Sequence, residues 1–484
     1  MTTLRHALFA STALLCAGMS APSHAQAAPA AAPAATPAIS SDEAGFRSIY
    51  RELIETNTTL SVGSCTVAAE RMAARLRSAG YPESALHLVV EPDHPREGNL
   101  VAELTGSDPT AKPMLLLAHI DVVEANRADW VRDPFTLVEE DGYFYARGAL
   151  DDKAQAAIWV DMMANMRQQG FRPRRTIRMA LTCGEETAGA FNGAEYLVNT
   201  HRNLIDAEFA LNEGASGLLD AGGNRLMLNI QAGEKFPQNY RLEVTNPGGH
   251  SSRPVADNAI NRLAMALGRV STLPFAFESN SATIGFFSAI AQGGPELLRP
   301  LAAAFVADPT SVPAATALAA ADPSFNAILH TTCIATMIEG GHATNALPQR
   351  VRANINCRIF PGTSTETVRA ALEAAVNDPQ VHVTTLETRS PTAPPPPLTA
   401  AIMGPARRAA QAVFPGVPLV PMMAAGGTDA AFLTPAGIPT YGFSGIFIQP
   451  EGTNAHGLNE RVPVQSLMDG RRMLNLLVRD MANQ

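Results

Sequence analysis

The chain has 484 residues, 46% of them hydrophobic and 17% charged, and a formal net charge of −9. That length exceeds one ordinary core, so two domains are expected. The acidic balance argues against nucleic acid or an anionic membrane surface as a partner.

At the N-terminus, MTTLRHALFASTALLCAGMSAPSHA sets Arg5 and His6 before an apolar run from Ala7 to Met19, ending in small residues at Ala25. This is the layout of a secretory signal, so residues 1–25 are expected to be removed, with cleavage near Ala25 or Ala27. The apolar run is too short to span a bilayer, and no later stretch is apolar for long enough. A lipoprotein site at Cys16 is disfavoured by the bulky Leu15 before it. Residues 26–40, rich in Ala and Pro, read as a linker. An exported protein is expected, either periplasmic or secreted.

Strand-like runs follow at residues 113–118, 176–183 (TIRMALTC) and 208–212 (EFALN), with helical patterns between them. The helix over DDKAQAAIWVDMMANMRQQG starts on acidic groups and stops at Gly170. This alternation predicts an α/β fold with a mostly parallel central sheet flanked by helices. From Tyr240 the order becomes strand, helix, strand, strand, helix, that of a small α+β ferredoxin-like sandwich. The expected division is a first catalytic part at 41–237, an inserted domain at 238–384 and a second catalytic part at 385–484. An Ala-rich helical excursion is expected around 290–325. If the hairpin of the insert turns at Asn345, Cys333 and Cys357 lie opposite each other, within reach of a disulfide.

Ionisable residues collect at strand ends: His119 and Asp121 in HID, Asp151 and Asp152 in GALDDK, Glu185 and Glu186 in GEE, Glu213 in NEG and His456 in AHG. Singly, each has a bland explanation. A strand-end histidine is usually a satisfied hydrogen-bonding group, and paired acids at a helix start are usually caps. Converging without a cation, the carboxylates would repel one another. Two imidazoles with several carboxylates suit zinc's mixed N/O preference, in a number that fits two ions. Asp121 is spaced to receive the second ring N–H of His119. In the Glu-Glu pair one carboxylate can ligate while the other serves as a base.

The ordered set HID, GALDDK, GEE, NEG and a C-terminal HG resembles the zinc aminoacylase and carboxypeptidase family. That family includes carboxypeptidase S, bacterial glutamate carboxypeptidase, aminoacylase and succinyl-diaminopimelate desuccinylase. HIDVVEANRADWVRDPFTLVEEDGYFYARGALDDK is most similar to the carboxypeptidase S branch, which has N-acyl amino acid hydrolases among its relatives. The resemblance runs from about residue 45 to the end. It implies two zinc ions per subunit, replaceable by cobalt or manganese. His119 and Glu213 would hold one, Glu186 and His456 the other, and Asp151 would bridge them. Glu185 would be the general base, with Asp121 orienting His119. The insert would be a lid that forms a homodimer, and His250 in GGHSSRP would reach the partner's site to stabilise the oxyanion. Asn345, Arg358, Gly427 and Thr428 match substrate-holding positions. Asp429 reads equally well as an N-cap. One departure is Asn212 before Glu213, where many relatives carry Asp. The implied activity is cleavage of an amide next to a free carboxylate, in small peptides or alternatively in N-acyl amino acids. A non-catalytic binding homologue would show eroded ligands, and none is eroded.

Overall fold

Residues 114–119, MLLLAH, form the strand on which the molecule is organised, and all six are buried. Met114, Leu116 and Ala118 face one core while Leu115 and Leu117 face another. A strand covered on both faces has no solvent side, so its sequence runs apolar without alternating. In this computed structural model, residues 41–187, 190–386 and 393–484 are described. The expected signal at 1–25, with Cys16, and the expected linker at 26–40 lie outside them.

Met114–His119 pairs in parallel with Ile177–Thr182 on one side and Phe209–Asn212 on the other, and Thr440–Gly442 extends the parallel set. Antiparallel strands flank this centre. Asn99–Leu104 and Leu86–Val89 lie on one side, and Arg225–Glu234 on the other, itself paired in parallel with Leu419–Ala424. The larger core packs helices Ser41–Ile54, Cys65–Ser78, Lys153–Gln168, Ala400–Val413 and Val464–Ala482 on one face. Within it the Trp159 indole donates to the Leu117 carbonyl at 2.9 Å, leaving the buried ring with no unmet polar atom. Helices Gly193–Thr200 and Ala430–Leu433 cover the other face.

A second sheet is inserted directly after Glu234. Its strands, in spatial order, are Thr332–Gly340, Arg350–Ile359, Phe236–Thr245 and Val381–Leu386, all antiparallel. Tyr240, Leu242 and Val244 alternate inward, with Val351, Ala353 and Ile355 beside them, against helices Ala259–Val270 and Thr365–Val376. This is the expected α+β sandwich with helices on one face. Cys333 stands opposite Cys357 in the register, and the two are disulfide-bonded with Cα atoms 4.0 Å apart.

The Ala-rich excursion is larger than expected. Four helices, Ser281–Gly293, Arg299–Ala307, Val312–Ala321 and Pro323–Leu329, close their own core on Phe287, Phe305 and Phe325. They do not extend the inserted sheet. The first of them lies on the strand Leu419–Ala424, with Ala282 in the main core and Asn280 Nδ2 3.2 Å from Met423 Sδ. A β-carbon on Gly285 would come within 3.0 Å of Pro421. Among the described residues no helix is long and apolar enough to cross a membrane.

Candidate metal centre

The carboxyl ends of the parallel strands face one cleft, where ligands of open α/β sheets sit. His119 ends one strand, Glu185 and Glu186 follow the next, and Glu213 follows the third. Asp151 precedes the helix Lys153–Gln168 and is joined to Asp152 by a cis peptide. His456 comes from the C-terminal loop with φ +61°, a left-handed conformation held by few non-glycine residues.

Asp151 is the centre of the arrangement. Its Oδ1 lies 3.2 Å from His119 Nε2 and its Oδ2 lies 3.0 Å from His456 Nε2. Glu213 Oε1 stands 3.7 Å from the first imidazole, and Glu186 Oε2 2.8 Å from the second. Two groups of three donors result, His119–Asp151–Glu213 and Asp151–Glu186–His456, each with its atoms within 4.8 Å of one another. They share one carboxylate, one oxygen to each side.

The electrostatics have the character of a site built for cations. Burial pushes the carboxyls of Glu213 and Glu185 well above the usual range, and neighbouring carboxylates add to it. Burial also opposes charge on His119, but Glu213, Asp121 and Asp151 outweigh it and hold the ring pKa well above its ordinary value. Hydrogen bonds to Asp151 and Glu186 raise His456 to about 10. Buried carboxylates crowded this closely are costly unless positive charge joins them. The residues present therefore fit a pair of divalent ions with mixed N and O ligands.

Surrounding bonds fix the ligand positions. The Nδ1 of His119 is 3.1 Å from the main-chain carbonyl of Asp121 and 3.6 Å from its carboxylate, so the nearer acceptor is the carbonyl. The Asp121 carboxylate instead accepts from the backbone N–H groups of Glu185 and Glu186, at 3.3 and 3.0 Å. Gly184 before them has φ +95°, and a β-carbon there would lie 2.0 Å from the Phe191 carbonyl oxygen, so this turn needs glycine.

Sequence reasoning missed two supports. Glu460, fully buried, accepts from Arg147 Nη1 at 2.8 Å and from the N–H groups of Gly148, Leu150 and Asp151 at 2.9, 2.9 and 3.1 Å. It is four residues past His456, and Arg147 immediately precedes GALDDK, so both stood close to recognised motifs without belonging to them. The other is a disulfide between Cys65 and Cys183, which pins the residue just before Gly184 to the start of a helix.

Arg358, Gly427 and Thr428 line one cleft together with Glu185, Glu186 and His456. Arg358 reaches it from the inserted sheet and forms no ion pair among the described residues. Thr428 is clamped by Glu234, which accepts from its N–H at 3.1 Å and its hydroxyl at 2.9 Å. Asp429 makes no side-chain cap, so the N-cap reading gives way. Its carboxylate is buried and accepts from Thr182 and Asn192 at 2.7 and 2.8 Å. His250 and Asn345 are not brought to the cleft. Both are exposed beside a two-residue ladder, Gly249–His250 against Ala346–Leu347, and His250 Nδ1 bonds only locally, with Ser252.

Residues 115–480 match the profile of Peptidase family M20/M25/M40. The chain is 31% identical over 381 residues to human N-fatty-acyl-amino acid synthase/hydrolase PM20D1, covering 75% of this chain and 73% of that protein. It is 27% identical over 376 residues to probable carboxypeptidase S-like 2 of Dictyostelium discoideum, covering 76% and 71%. In fold it is similar to the M20 family metallo-carboxypeptidase Sso-CP2 of Sulfolobus solfataricus, with a TM-score of 0.67 at 16% identity over 90% of this chain and 99% of that one. With its strand-end donors gathered around one shared carboxylate, the chain belongs to peptidase family M20/M25/M40 and is a metal-dependent hydrolase.

Proposed function

We propose that the protein is a dizinc amidohydrolase that cuts the amide bond next to a free carboxylate. The observation that carries this is Asp151, whose two oxygens each face one imidazole of a separate donor group. Bound there, two divalent ions would supply Lewis acidity to the scissile carbonyl and acidify the attacking water. His119 with Glu213 would hold one, Glu186 with His456 the other.

Glu185 belongs to neither donor group yet lines the cleft beside them, which leaves its carboxylate free for proton transfer. It takes the proton of the attacking water and passes it to the leaving amine. Arg358 faces the same cleft with no carboxylate partner among the described residues and receives that of the substrate. His250 is too exposed and too local in its contacts to serve this cleft from its own chain. We assign it to the oxyanion of a partner's site, in a homodimer formed through the inserted domain. Ile334, Met337 and Ile338, exposed on the edge strand Thr332–Gly340, are the surface such a pairing would cover.

Small peptides are the first substrates proposed. N-acyl amino acids are the second, favoured by the likeness to the fatty-acyl-amino acid hydrolase. Export to the periplasm or medium is proposed from the N-terminal layout and from two disulfides, which persist in oxidising compartments. Glu185→Gln should keep both metals by elemental analysis and lose about 10²–10⁴-fold in kcat. Full turnover in that variant, or a purified wild type that binds no zinc, would overturn the reading.

A further inference from the structure

Outside the two donor groups that share Asp151, the described residues bring together a third: Cys65, Asp121 and Cys183, with both Sγ atoms and a carboxylate oxygen within 4.8 Å of one another. All three residues are buried. The groups at the cleft offer imidazole and carboxylate, whereas this one offers sulfur, the donor that softer ions such as zinc prefer. Its sulfurs are bonded to each other, so it becomes a ligand set only when the disulfide is opened.

The space around it has the size and polarity of an ion site. Cys65, Asp121, Cys183 and Thr58 line one cavity of about 10 Å³, close to the least that holds a single water. Thr58 is 2% exposed, and its hydroxyl has no hydrogen-bond partner among the described residues. A buried hydroxyl left in that state costs about 1–3 kcal/mol. It stands as a further oxygen beside two sulfurs and a carboxylate, the kind of mixed set that a tetrahedral ion takes. The cysteine Cα atoms are 6.0 Å apart, which lets freed sulfurs separate to accept two metal–sulfur bonds of about 2.3 Å.

We propose that Cys65, Cys183 and Asp121 form a third metal site, closed by the disulfide and opened by reduction, that takes zinc or cadmium. A trialkylphosphine supplies the two electrons. The S–S bond breaks, the phosphine becomes its oxide with oxygen from water, and the two protons of that water end on the sulfurs. The entering ion then forms two metal–sulfur bonds and releases those protons to solvent. It also draws on the Asp121 carboxylate, which otherwise accepts from the N–H groups of Glu185 and Glu186. Resting on the amidohydrolase reading, filling the site loosens the turn that carries the proposed base and lowers turnover.

The test compares the zinc-loaded protein with its disulfides closed and open, the open state being checked by thiol titration. Where the folded protein resists phosphine, the reduced form is made by refolding. After exposure to zinc and removal of loose metal, the open form should hold about one more ion per chain. Cadmium should give thiolate charge-transfer absorption in the open form alone. Cys333→Ser with Cys357→Ser should gain the same ion, and Cys65→Ser with Cys183→Ser should gain none. Alkylating the opened thiols before zinc is added makes the second comparison without any variant. As the extra ion enters, kcat should fall about 10–100-fold, and it should recover on reoxidation. No extra ion in the open wild type, or an equal gain after alkylation or in Cys65→Ser with Cys183→Ser, would overturn the site whatever the activity. An extra ion that leaves turnover unchanged would overturn its link to the base. An extra ion in a protein that cleaves nothing in either state would support the site and sink the hydrolase.

Discussion

The metal end of the main sheet and the His250 loop of the insert are built in opposite ways. Around the metal ligands, each segment is tied to another distant in sequence. Asp121 holds the backbone of Glu185 and Glu186, Glu460 holds that of Asp151, and a disulfide holds Cys183. The His250 loop meets its distant neighbour, residues 345–347, through a two-residue ladder and one further backbone bond, while its side-chain contacts are local and His250 and Asn345 are exposed. One half of the proposed site is thus preorganised, as electrostatic catalysis requires. The other half must be delivered by motion or by a second subunit.

The contrast breaks most directly at Glu460. Replacing it by Ala leaves the Arg147 guanidinium buried without its carboxylate and removes the acceptor for three backbone N–H groups. Removing one partner of a buried ion pair costs about 3–5 kcal/mol. Glu460→Ala should therefore show a clear fall in Tm and a lower zinc content at equal free metal, with Glu460→Gln intermediate. A Tm and zinc content equal to wild type would mean that the metal end does not depend on this tether.

On the lid side the expected signature is the reverse. His250→Ala should leave Tm and zinc content unchanged and lower kcat by about 10²–10³, the effect of removing one oxyanion donor. Mixing His250→Ala with Glu185→Gln protomers sharpens this. A hybrid dimer would pair one intact base with one intact histidine and regain activity that neither parent has. If mixing restores nothing, His250 does not act across subunits.

Much of this difference was legible from residues alone. His119 and Glu213 could be placed because apolar strand runs end in a ligand type, and strands of a parallel sheet deliver their ends to one edge. The alternation in Phe236–Thr245 and Arg350–Ile359 marked the inserted sheet, and a turn at Asn345 brought Cys333 against Cys357. What escaped were pairings between segments with no shared pattern. Arg147 and Glu460 are 313 residues apart, and Cys65 and Cys183 are 118 apart. Helix or strand periodicity says which face is buried, not which partner covers it. For the same reason, the Ala-rich helices could be recognised while their seat on Leu419–Ala424 could not.

The smallest expected effect lies at the junction between the two regions. Glu234 ends the last main-sheet strand before the insert, and burial lifts its carboxyl pKa from 4.5 to about 7 against the hydrogen bonds from Thr428. A folded pKa above the unfolded one means the native state binds the extra proton. The stabilisation from the neutral acid is complete below about pH 4.5 and disappears as pH rises through about 7. The upper bound of this swing is about 3 kcal/mol, less where water reaches the junction. Glu234→Gln removes the titration and keeps an oxygen for the Thr428 N–H. The Tm difference, wild type minus variant, should therefore shrink steadily between pH 5 and about 8. Buried acids remote from the junction titrate alike in both proteins, so the difference reports Glu234 together with its coupling to the neighbouring Asp429. A constant difference across that range would show that the Glu234 carboxylate is solvated or matched by positive charge at the junction, and that the preorganised region ends before it.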